Sequence, residues 1–202
     1  VKIKVTHIIN NLERGGAETV LSLLLKYLKK YPDIELTLIS LEGHGPIEKD
    51  IIEMGIKYKK FNFHLFNPFF RRFEPYFRFR LWWYVLINRP DIIHGHLIVG
   101  EDFAKVLGML LKIPVVTTLH DIMIKPGRKQ QFLNKYIKIA VAVSPLVSQH
   151  LESVYGISED RIRIIPDAIE MDKFKNANKV FNSDKPVFIY IGRLFKTKGI
   201  EY

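Results

Sequence analysis

The chain has 202 residues, no cysteine and a formal net charge of +10. At roughly 100–200 residues per domain it holds one full domain and part of another, and its 48% hydrophobic content supports a sizeable core and excludes a disordered chain. The lack of cysteine excludes disulfides and thiolate metal sites and fits a reducing, cytoplasmic compartment, while the positive charge favours anionic partners without choosing among nucleic acid, lipid and phosphorylated ligands.

The N-terminus, VKIKVTHIIN, alternates like a strand and has no long apolar stretch, so it does not read as a signal peptide. No apolar run reaches the ~18 residues of a membrane span. Residues 2–9 read as a strand rich in β-branched side chains. A loop with Gly15 and Gly16 follows, then a helix over 17–30 with apolar residues at Val20, Leu21, Leu24, Leu25 and Leu28. A strand over 34–40, a short helix over 46–54 ending at Gly55 and a strand over 56–61 come next. Residues 62–75 are irregular and aromatic, and 76–88 read as a helix that Pro90 ends. Further strands are expected over 91–94, 114–119, 139–143, 161–165 and 187–191, with helices over 101–111 and 130–137 and from Pro145 onward. Residues 176–185 read as a polar linker. Strand–helix alternation with short apolar strands predicts an α/β fold: a Rossmann-like, doubly wound, mainly parallel sheet.

In such a sheet ligands bind beyond the carboxyl ends of the strands, which singles out five sets of residues. The first is NNLERGGAE at 10–18. Gly15 and Gly16 either let the backbone approach a phosphate or sugar hydroxyl at a helix start or serve a tight turn that needs positive φ. The pattern is neither a dinucleotide fingerprint nor a P-loop. The second is His94-Gly95-His96; the two imidazoles are expected on opposite sides of the extended chain, so no shared ion and no metal site is expected. The third, His120-Asp121, opens a polar loop at a strand end and makes His120 the candidate catalytic side chain. In the fourth, Ser144 before Pro145 reads as a helix N-cap rather than a nucleophile, since no GxSxG surrounds it. In the fifth, GRLFKTKG at 192–199, Arg193 and Lys198 fit a diphosphate or form an exposed basic loop.

Taken in order, these stretches resemble the retaining family-4 glycosyltransferases of the GT-B architecture. The matching segments are GGAETVLSLLLKYLKK at 15–30, RPDIIHGH at 89–96, IPVVTTLHD at 113–121, AVAVSPLVSQHL at 140–151, RIRIIPDAIEMDKF at 161–174 and FIYIGRLFKTKG at 188–199. The resemblance implies two facing Rossmann-like domains, the first binding acceptor and the second the nucleotide-sugar. It divides the chain into an acceptor-binding domain at 1–175, a linker at 176–185 and the start of a donor-binding domain at 186–202. It implies that Gly15 and Gly16 line the cleft, that His120 contacts a hydroxyl of the reacting sugar, and that Arg193 and Lys198 hold the donor diphosphate and stabilise the departing charge without a metal or other cofactor. One departure is Asp167-Ala168, where the family usually has Asn-Gly. The motif that grips the donor's ribose and sugar would lie later in the second domain, so the 202 residues alone are expected to be inactive.

Residues 58–84, YKKFNFHLFNPFFRRFEPYFRFRLWWY, mix aromatics and arginines densely. They read either as a patch for an anionic membrane surface, as a peripheral protein on the inner face would need, or as a helix with one aromatic face in the core and arginines in solvent. The expected partners are a UDP- or GDP-linked sugar donor and a saccharide or lipid-linked acceptor, with no nucleic acid. The alternatives are a non-catalytic sugar- or nucleotide-binding module, a subunit of a split transferase, or a sugar-nucleotide epimerase of similar architecture.

Overall fold

A computed structural model describes residues 2–42, 45–63, 73–122, 125–174 and 186–192. Its contacts divide the chain into two units, Val1–Ile169 and Glu170–Tyr202. The first unit is one seven-stranded sheet in the order β3-β2-β1-β4-β5-β6-β7. Its strands are β1 (Ile3–Ile9), β2 (Ile34–Ser40), β3 (Lys57–Lys60), β4 (Ile92–His96), β5 (Val115–Leu119), β6 (Ile137–Ala142) and β7 (Ile162–Ile164). Every pair of neighbours is parallel. Parallel strands need crossovers, and six helices supply them: α1 (Gly16–Leu28), α2 (Ile47–Glu53), α3 (Glu74–Asn88), α4 (Leu97–Leu111), α5 (Arg128–Asn134) and α6 (Pro145–Ser153).

Side chains alternate across each strand, so each face has its own core. Ile9, Leu36 and Leu38 pack with Leu21 and Leu25 of α1 and Ile47 and Ile51 of α2. On the other face Ile8, Ile39, Ile93 and Val115 pack with Leu81 and Val85 of α3 and Phe103, Ala104 and Leu107 of α4. A third cluster joins β6 to Val147 and Leu151 of α6. Helix α4 can lie this close because a glycine stands on each side of the contact, Gly95 in β4 against the helix backbone and Gly100 in α4 against the backbone of β1. A Cβ on Gly95 would sit 2.7 Å from Cα of Glu101, and one on Gly100 would sit 2.5 Å from the carbonyl oxygen of Ile8.

Two expectations change. Helix α4 begins four residues earlier than the apolar pattern suggests, directly after His96, and its first residue, Leu97, has φ 57°. In the second unit, Met171–Phe174 form a 3-10 turn, but Val187–Ile191 carry no strand assignment. These β-branched and aromatic residues have strand propensity, yet a strand needs a neighbouring ladder to satisfy its backbone, and none is present among the described residues. The linker at 176–185 lies outside the described residues.

Candidate functional site

The strand order reverses direction at β1, which has β2 on one side and β4 on the other. Because all strands are parallel, the loops after β1, β4, β5, β6 and β7 open on one edge, and the switch point between β1 and β4 is where a crevice forms. Gly15, His120, Ser144 and Asp167 follow strand ends on that edge, and His96 is the last residue of β4 there.

The loop after β1 is braced rather than loose. Leu12 is buried, its carbonyl accepts from the amide of Ile47 at 3.2 Å, and Asn10 accepts from Glu42 at 2.6 Å. Gly45 crosses so close to the Leu12 backbone that any side chain would collide with it. Gly15 caps α1 in ordinary extended geometry (φ −121°), and Gly16 is the first helical residue, so neither glycine serves a positive-φ turn. Open space surrounds the position a Cβ on Gly16 would take, while the Glu18 carboxylate lies over Gly15. The hydroxyl of Thr19 donates to the Gly15 carbonyl at 2.7 Å. The side-chain oxygen of Asn10, at the head of this loop, is buried with no hydrogen-bond partner.

His120 follows β5 and is mostly covered, its side chain 14% exposed. Its Nδ1 lies 3.3 Å from Oδ2 of Asp167, which arrives from the end of β7. Asp167 is the position that departs from the usual family pattern, and here it gives His120 a carboxylate partner. With Nδ1–H donating to that carboxylate, Nε2 is the nitrogen left to face a ligand. Ser144 is the N-cap of α6 and accepts from the amide of Val147 at 3.3 Å.

The histidines of β4 correct a sequence expectation. His94 and His96 do not lie on opposite sides of the chain: residues two apart in a strand share a face, and their rings stand 4.1 Å apart. His7 pairs with His94 in the β1–β4 register and joins them. Its ring centroid is 5.1 Å from that of His94 and 5.3 Å from that of His96. Nδ1 of His7 and Nε2 of His96 share a hydrogen bond of 3.0 Å, and Nε2 of His94 meets the Thr118 hydroxyl at 2.8 Å. Burial lowers the pKa of His7 to about 4, and burial followed by the neighbouring imidazoles lowers those of His94 and His96 well below the usual value. All three rings are therefore neutral at physiological pH. His7 was invisible as a site residue because its meeting with β4 depends on a strand register spanning 89 residues of sequence.

Behind this edge, a buried ion pair fixes α4 to its neighbours. Lys105 Nζ lies 2.8 Å from Oε1 of Glu101 and donates to Oδ1 of Asn134 at 3.1 Å, and Asn134 donates to the carbonyl of Tyr155 at 2.9 Å. Arg193 and Lys198 lie outside the described residues.

The sequence profile of Glycosyltransferase Family 4 matches residues 14–173. The chain belongs to this family. Like it is a capsular polysaccharide biosynthesis glycosyltransferase, CapH, of Staphylococcus aureus, 21% identical, with the match covering 98% of this chain and 55% of that protein. Among solved structures, a glycosyltransferase from Rickettsia africae ESF-5 aligns with a TM-score of 0.67 at 22% identity, over 88% of this chain and 46% of that one. Anabaena HepE, solved in complex with UDP and glucose, aligns with a TM-score of 0.65 at 15% identity, over 84% and 46%. The family-4 chain thus spans about half the length of these relatives. The structural likenesses establish the shared GT-B half, a Rossmann-like parallel sheet.

Proposed function

We propose that the chain is the acceptor-side half of a transferase that moves a hexosyl group from a UDP- or GDP-linked sugar to a saccharide or lipid-linked acceptor, with retention at the anomeric carbon. The observation that carries this reading is the family match over 14–173, combined with a His120–Asp167 pair on the strand-end edge where the fold binds ligands. A relative of the same fold was solved with UDP and glucose, which supports a nucleotide-sugar donor.

In this reading His120 hydrogen-bonds a hydroxyl of the reacting sugar, and Asp167 holds the imidazole in one tautomer. Gly16 leaves room for the ligand at the start of α1, where free amides favour partial negative charge. The Glu18 carboxylate over Gly15 repels a phosphate and accepts from a hydroxyl, so this end of the cleft suits the acceptor sugar better than the diphosphate. Arg193 and Lys198 neutralise the charge that builds on the leaving nucleoside diphosphate. A donor screen on the transferase that carries this chain tests the reading, with His120→Ala and Arg193→Ala beside it. Each variant should lose roughly 100-fold or more in kcat, as removal of a charge-stabilising donor does. Unimpaired transfer in both removes the site assignment, and an inverted anomeric product removes retention.

The peripheral membrane role is proposed for α3. Leu81 and Val85 of α3 enter the core, but Tyr76, Phe79, Trp83 and Ile87 stay exposed on an outer face. Phe79 and Trp83 stack on that face, and Arg80 lies over the ring of Tyr76. A helix that only needed a core-facing stripe would place polar residues there, so the exposed aromatics favour an anionic lipid surface on the cytoplasmic side. Residues 64–72 of this segment lie outside the described residues, and no helix among the described residues is long and apolar enough to cross a membrane.

A further inference from the structure

We propose that His7, His94 and His96 form a binding site for a divalent transition-metal ion of the Zn2+ class. One ring nitrogen from each lies within 4.8 Å of the others. Metal–nitrogen bonds of about 2.0–2.1 Å in a tetrahedral site place ligand nitrogens roughly 3.3 Å apart. The pair Nδ1 of His7 and Nε2 of His96, at 3.0 Å, is within a few tenths of an ångström of that spacing already.

Packing alone gives a poor account of the cluster. Valine or isoleucine would fill these strand positions without desolvating any nitrogen, and each polar group buried without a partner costs about 1–3 kcal/mol. The hydrogen bonds present do not satisfy the set: Nε2 of His7 is buried with no partner. Thr118 already gives His94 the kind of hydrogen bond that orients a ligating imidazole. The ligand set is nitrogen only, which suits zinc, cobalt, nickel or copper and disfavours magnesium and calcium, whose preferred ligands are oxygens. The residues are supplied by β1 and β4, the two strands at the switch point, so an ion there would fasten the floor of the crevice. The proposed sugar transfer neither requires this ion nor is required by it.

The test uses tag-free, chelator-treated protein titrated with Zn2+ by calorimetry, and with Co2+ by visible absorption. One equivalent should bind, with Co2+ giving the intense bands of a tetrahedral nitrogen site. His94→Gln and His96→Gln should each weaken binding beyond the roughly 10–100-fold expected from losing an outer-shell partner. His150→Gln, away from the cluster, should leave it unchanged. If a cluster variant fails to fold, the wild-type protein still decides the matter: paramagnetic Co2+ should broaden the imidazole signals of His7, His94 and His96 before that of His150. A Kd weaker than about 1 mM, binding unaffected by the cluster variants, an equal response to Mg2+, or broadening centred elsewhere would overturn the proposal.

Discussion

Single residues in α4 carry an unusual share of the fold. Lys105 is 1% exposed, yet its charge is answered by Glu101 one helical turn away, by Asp102 at 3.4 Å and by Asn134 on α5. An i,i+4 Glu–Lys pair on a helix reads from sequence as a solvent-exposed pair worth a few tenths of a kcal/mol. Burial changes its meaning: removing one partner leaves the other charged and desolvated. Lys105→Ala should therefore cost about 3–5 kcal/mol in urea unfolding, and Lys105→Met with Glu101→Leu should recover most of it. A loss under 1 kcal/mol for the single variant would show that water reaches Glu101. Gly100 makes a second case. With a Cβ 2.5 Å from the carbonyl of Ile8, Gly100→Ala should destabilise by about 1–3 kcal/mol as α4 is pushed off β1, although alanine raises helix propensity. The candidate site was legible at this scale where residue type and strand-end position coincide, as at His120, and illegible where a contact depends on a distant partner. Asp167 looked like a departure from a turn motif; its meaning comes from a histidine 47 residues away. His7 looked like part of an apolar strand until the register brought it to His94.

At the level of elements, periodicity found each of β1 to β7 and each of α1 to α6 because the two buried faces of the sheet leave runs of β-branched residues and the helices keep one apolar stripe. What periodicity misplaced were boundaries set by backbone geometry. Residues 130–137 read as one helix, but α5 stops at Asn134 because its side chain turns inward to Lys105 and Tyr155, and Ile137 enters β6. Helix α4 starts at Leu97 in a left-handed conformation that no apolar pattern announces. Its other end is also left-handed: Lys112, exposed and with φ 55°, caps the helix where glycine is the usual residue. Lys112→Gly should stabilise the protein by about 1 kcal/mol, the approximate cost of that conformation for a residue with a Cβ, seen as a higher urea midpoint. In the opposite direction, Ser144→Ala should cost about 1 kcal/mol by freeing the Val147 amide at the start of α6. Equal midpoints for wild type and Lys112→Gly would mean that the lysine side chain contributes packing that offsets its strained backbone.

For the molecule as a whole, the histidine cluster ties folding to pH. Burial holds the folded-state pKa of His7 near 4, against an ordinary value of 6.5, and holds those of His94 and His96 well below it. Within that window the unfolded chain binds more protons than the folded one, so stability rises with pH and is lost as pH falls from about 6.5 toward 4. Each such proton contributes a slope of about 1.4 kcal/mol per pH unit, so His7 alone removes about 2 kcal/mol between pH 6.5 and 5. His94 and His96 act in the same direction. The net charge of +10 gives no relief, because every proton taken up adds to existing repulsion. Most surface carboxylates, with ordinary values near 4, change little above pH 5, so this range isolates the imidazoles. In chelator-treated protein the urea midpoint should fall steeply from pH 7 to pH 5, and His94→Gln should flatten the slope by about one proton. Zn2+ should oppose the loss, since an ion bound to neutral imidazoles competes with their protonation. A midpoint that stays level from pH 7 to 5 in the metal-free protein would mean that the three rings exchange with water. The dry, three-histidine floor of the crevice would then be wrong.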